Sequence, residues 1–127
     1  MRIAYEDEIM GTDYPDEKGV SRQVALAKMA KWREVCQGRL FEEVFEGKPA
    51  LAVKWTVVAG RPCKDGDSLL GYVRARDVDR LLARMAPFAT EGRPVTALAT
   101  VLFSNIQPNR KGILQCQIRV VVPSEQP

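Results

Sequence analysis

The residues able to attack a carbonyl, move a proton at neutral pH or ligate a transition metal are sparse in this chain. Its 127 residues contain no histidine. A Cys/His metal set cannot be built, and activation of a nucleophile by imidazole is excluded. The three cysteines, Cys36, Cys63 and Cys116, form an odd set without CxxC spacing. Cys116 falls at an apolar position of an alternating stretch, where a thiol acts as a small buried hydrophobe. A domain of this size does not need a disulfide to stay folded. Carboxylate-only or lysine-based catalysis has no motif behind it. The expectation is a chain without catalytic residues, metal or organic cofactor, which works by binding.

Binding chemistry is better represented. The formal net charge is +3, but the first 19 residues carry −4, so the remainder carries +7. A modestly basic body is compatible with a polyanionic partner. Arg76, Arg80 and Arg84 recur at i, i+4 and i+8 and line one side of a helix. Such a stripe can track phosphates. It can equally be a solvated face paired with Asp77 and Asp79, and the second reading is favoured because surface ion pairs are common and weak. Trp32 and Trp55 sit in apolar patterns and read as packing residues.

The elements that must position these groups follow from periodicity and turn chemistry. Residues 1–10 read as a strand with Ile3, Tyr5 and Ile9 inward. Gly11 to Gly19 is a loop rich in Asp, Pro and Gly. Ser21 is a suitable N-cap for a helix whose apolar positions are Ala25, Leu26, Met29 and Trp32. Leu40–Val44 and Ala50–Val58 read as strands joined by a turn through Glu46, Gly47, Lys48 and Pro49. Residues 60–67 are a loop, and Ser68–Val73 is a short strand. Val78, Leu81, Leu82 and Met85 then give an apolar helical stripe that must face a core, ended by Pro87. Alternation from Pro94 to Phe103 and from Leu114 to Val122 gives two more strands around a turn at 105–112. The predicted class is α+β, in the order β-α-β-β-β-α-β-β. Six strands with short connections fit an OB-like or curled β-barrel with two helices, since closure removes exposed edges. The whole of 1–127 reads as one domain, with 123–127 a frayed tail.

Several short motifs occur in a fixed succession. Gly11-Thr12-Asp13-Tyr14 opens the first loop, and Gly19-Val20-Ser21-Arg22-Gln23 starts the helix. Gly38 and Ala50-Leu51-Ala52-Val53 follow, then Leu70-Gly71-Tyr72-Val73 with a basic residue after it, and finally Val95-Thr96-Ala97. From about Ile3 to Val122 the chain resembles the HIRAN domain family. The resemblance implies a six-stranded OB-like barrel with two helices. It also implies a function, the binding of single-stranded DNA or DNA ends by stacking of aromatic side chains on bases and polar contacts to the backbone. Carried over by position, the resemblance points to Tyr14, Arg74 and Phe103. Phe103 also continues an inward-facing series, which favours a core role.

The family's N-P-Y-D-x-N-A-I pattern is altered here to Val44-Phe45-Glu46-Gly47-Lys48-Pro49-Ala50-Leu51. Phe45 and Glu46 take the Tyr and Asp places with a one-residue shift, and Lys48 is the adjacent cation. The nucleic-acid-binding set is thus Tyr14, Phe45, Glu46, Lys48, Arg74 and Phe103, assisted by the arginine stripe. The altered segment and the acidic first loop support an alternative, a HIRAN-like protein-interaction domain that has lost nucleotide binding. No apolar run approaches the roughly 20 residues that span a bilayer, and MRIAYEDE lacks the apolar core of a secretory signal. The expected location is the cytoplasm, with no membrane partner.

Overall fold

The computed structural model describes residues 2–12, 22–32, 36–58, 61–62, 68–88, 96 and 99–122. Tyr14, Ser21, Cys63, Val95 and Ala97 lie outside the described residues. In chain order the elements are β1 (Arg2–Glu8), α1 (Arg22–Trp32), β2 (Cys36–Phe45), β3 (Lys48–Val58), the two-residue β4 (Arg61–Pro62), β5 (Ser68–Tyr72), α2 (Val78–Met85), β6 (Thr100–Pro108) and β7 (Leu114–Val122). Short 3₁₀ turns at Ala75–Asp77 and Ala86–Phe88 flank α2. The class is α+β, and apart from β4 the order is the predicted one.

All strand pairings are antiparallel, in the order β1-β7-β6-β2-β3-β4 with β5 also beside β3. The ladders do not close on themselves. β1 and β5 share no ladder, and the chain just after β1 meets β5 at one bridge. There Met10 and Tyr72 exchange two backbone hydrogen bonds, each 2.9 Å. Gly71 makes that approach possible, because a Cβ there would lie 2.3 Å from the Met10 carbonyl oxygen.

One core gathers the inward side chains. Leu40, Leu51, Val53 and Trp55 come from the β2–β3 hairpin, Leu70 from β5, Val101 from β6, and Cys116, Ile118, Val120 and Val122 from β7. α1 contributes Ala25, Leu26 and Met29, and α2 contributes Val78, Leu81 and Met85. The helical periodicities therefore meet the faces they required.

Two boundaries differ from the sequence expectation, each because of an irregular residue. In β1 the register shifts between Ile3 and Tyr5. As a result Ala4 and Tyr5 are both buried and Ile3 is 52% exposed, since one extra residue reverses the alternation. β6 begins at Thr100, with Thr96 in a 3₁₀ turn, and runs on to Pro108, through part of the expected turn. Asn105 takes a positive φ of 52°, and the register shifts between Ser104 and Gln107. The turn itself is tighter, with the Asn109 side chain accepting from the backbone N–H groups of Lys111 and Ile113.

Candidate nucleic-acid interface

The β2–β3 hairpin closes through Glu46 and Gly47, both at positive φ (51° and 77°), the backbone of a two-residue type I′ turn. Its register then sorts every side chain. One face carries the cross-strand pairs Gly38↔Trp55, Leu40↔Val53 and Glu42↔Leu51 and turns toward the core. The other carries Arg39↔Lys54, Phe41↔Ala52, Glu43↔Ala50 and Phe45↔Lys48. β5 extends this second face, because Tyr72 pairs with Ala52 and its hydroxyl donates to Glu43 Oε2 at 3.0 Å.

The outer face is thus an aromatic and basic ladder. Phe41 and Tyr72 flank fully buried Ala52. Phe41 and Phe45 lie about 13 Å apart along β2, and neighbouring strands add roughly 5 Å each. The Lys54 ammonium sits 4.6 Å from the Phe41 ring centre, and the Arg22 guanidinium lies 5.4 Å from that of Tyr72. Phe45 is 70% exposed at the hairpin tip. Arg39 and Lys48 are also exposed. Glu43 is the one acid in these four cross-strand pairs, and no ion pair engages it among the described residues.

The residues singled out from sequence are distributed unevenly. Phe45 and Lys48 face each other on the ladder, and Glu46 occupies the turn between them. Phe103 is elsewhere. It packs against the core with its ring over Gly38, where a Cβ would come within 2.6 Å of Cζ. Gly38 is on the opposite face of β2 from Phe45 and about 23 Å along the strand, so the two aromatics do not share a cleft. Tyr14 is outside the described residues.

Arg74 and Arg84 reach β1, and Arg80 reaches Asp77. Arg74 Nη2 lies 3.6 Å from Asp7 Oδ1, and its Nε is buried without a hydrogen-bond partner. Arg80 pairs with Asp77 at 3.1 Å, and Arg84 donates to the Ala4 carbonyl at 2.9 Å. Buried Asp77 also accepts the Tyr5 hydroxyl at 2.9 Å. Burial first, and then the hydrogen bond and charge of Asp77, push the Tyr5 hydroxyl up to about 12. Together these groups clasp the start of α2 to β1. Arg76, Arg80 and Arg84 are all exposed, and Arg76 lies in the 3₁₀ turn before α2 rather than on the helix itself.

The motif residues of the first loop and helix start also hold one another. Arg22 donates to the Gly11 carbonyl, and Gln23 donates to the Thr12 and Leu114 carbonyls at 2.9 Å each while accepting from Leu114 N–H at 2.7 Å. Thr12 is fully buried, and its hydroxyl donates to the same Leu114 carbonyl at 2.9 Å. Sequence reasoning left Arg39, Phe41, Glu43, Lys54 and Tyr72 off the site. The signal available was the odd-numbered series 39, 41, 43, 45, opposite in phase to Leu40.

Among the described residues no three Cys, Asp or Glu side chains group as metal ligands, and no helix is long and apolar enough to cross a membrane. Burial, with a smaller contribution from the Glu8 charge, pushes the Cys116 thiol up to about 12. A shallow cleft lined by Glu8, Gln107, Asn109, Gln115 and Gln117 lies near the β6–β7 turn, but it has no aromatic platform. Comparison with family models, curated proteins and solved structures finds no match to this chain.

Proposed function

We propose that this chain is a small nucleic-acid-binding module that lays a single strand across the outer face of β2, β3 and β5. The observation that carries the reading is the ladder. It sets Phe41, Phe45 and Tyr72 among Arg39, Lys48 and Lys54 on one face. Aromatic rings stack on bases without regard to sequence, and the neighbouring cations attract the phosphates. An OB-like curled barrel is the finer form of the fold in this reading, supported by the Met10–Tyr72 bridge between β5 and the segment that follows β1. HIRAN membership belongs to the same proposal. It is supported by the element order and by the mutual hydrogen bonds of Gly11, Thr12, Arg22 and Gln23.

Fluorescence polarisation with a labelled oligothymidine, repeated over a range of salt, tests the reading. Binding should weaken with salt, and Phe45→Ala should cost about 1–3 kcal/mol. Absence of binding at low salt, or full affinity in a Phe41→Ala/Phe45→Ala double variant, would refute it.

A second reading, a protein-interaction domain, has one observation in its favour. Val44 is 79% exposed on the opposite side of the hairpin tip, with Glu42 on its own face. Val44→Ser distinguishes the two. It should spare oligonucleotide binding in the first reading and abolish partner binding in the second.

A further inference from the structure

The ladder contains one group that stacking and phosphate attraction do not require. Glu43 lies between Phe41 and Phe45 on β2, opposite the small side chain of Ala50. A lone carboxylate on a polyanion-binding face repels the backbone, so its presence there needs a compensating contact. The Tyr72 hydroxyl holds Oε2 at 3.0 Å, which orients the carboxylate and leaves Oε1 and further lone pairs on both oxygens as acceptors. No cation among the described residues neutralises it.

We infer that Glu43, positioned by Tyr72, reads a guanine base in the bound strand; this rests on the nucleic-acid reading above. An ionised carboxylate only accepts hydrogen bonds. Single-stranded recognition exposes the Watson–Crick edges of the bases. Guanine presents two adjacent donors on that edge, N1–H and N2–H, which match the two carboxylate oxygens. Cytosine and adenine offer an exocyclic amine beside a ring-nitrogen acceptor, and thymine offers a single N–H between two carbonyls. Each of these sets an acceptor against the carboxylate. The aromatic neighbours would then hold flanking bases, whatever their identity.

The test compares three labelled oligonucleotides by fluorescence polarisation: an oligothymidine, the same strand with one central guanine, and the same strand with inosine there. Inosine keeps N1–H and lacks the N2 amine. The guanine strand should bind about tenfold more tightly than oligothymidine, in keeping with a bidentate contact, and inosine should fall between them. Glu43→Gln should reduce the guanine-to-thymine ratio to near one. Tyr72→Phe should narrow it, because the carboxylate loses its anchor. Reading each variant as a ratio within one protein preparation cancels any partial loss of folded material. Equal affinity for all three strands overturns the guanine inference while leaving the binding reading intact, as does a ratio that survives Glu43→Gln. Failure to bind any strand overturns both.

Discussion

Tyr5 shows how a single side chain couples stability to pH in this fold. Its ring is buried and its hydroxyl donates to Asp77, a buried carboxylate also bound by Arg80. Removing the donor by Tyr5→Phe should cost about 1.5–3 kcal/mol in chemical denaturation, the range for hydrogen bonds to charged groups. The hydroxyl titrates at about 12 in the folded chain against 10.0 ordinarily, so the unfolded chain loses this proton first. The contribution is therefore complete below pH 10 and is lost as pH rises toward 12. Stability measured across that window should fall in the parent and fall less steeply in Tyr5→Phe; identical slopes would rule out Tyr5 as the titrating group. The inward side of Tyr5 was legible from alternation, but the bulge that buries Ala4 beside it and exposes Ile3 was not, nor was its partner Asp77, 72 residues away.

At the scale of elements, the close approaches are made by glycines, and these give sharp expectations. In Gly71→Ala the new Cβ meets the Met10 carbonyl at 2.3 Å and Ile9 Cγ1 at 2.8 Å. Backbone cannot yield as a side-chain tip can, so the cost should be about 1–3 kcal/mol or more. The substitution should act on the β1–β5 bridge first. Hydrogen exchange at the Met10 and Tyr72 amides should accelerate more than exchange within the β6–β7 ladder, whereas uniform acceleration would show that the bridge is not a separate weak point. Helix α2 was readable from its apolar stripe, because a helix keeps its periodicity through one local pattern. Of the expected helical stripe Arg76, Arg80 and Arg84, Arg76 lies in the 3₁₀ turn before α2, and the target of Arg84, the Ala4 carbonyl, is 80 residues away in sequence.

For the whole molecule, the distribution of charge sets the expected response to salt. The ladder face concentrates Arg39, Lys48 and Lys54, whereas Arg74, Arg80 and Arg84 are engaged with β1 or with Asp77. Neutralising Lys48 and Lys54 together should lower the slope of log affinity against log salt by about 0.7 per cation, the single-strand value. Neutralising exposed Arg76 should leave the slope unaltered, and the reverse pattern would move the interface to the turn before α2. By itself the amino-acid sequence determined the α+β class, the order of the elements, the apolar face of each helix and the alternation that buries Leu51, Val53, Trp55 and Cys116, since each depends on spacing within one segment. The tertiary structure alone decided that Tyr72 would stand across Ala52 from Phe41 and bond Glu43, that Phe103 would pack over Gly38 away from Phe45, and that Arg74 and Arg84 would reach β1. Those relations come from pairing strands far apart in the chain, and periodicity within a strand identifies its two faces without choosing which neighbour each one meets.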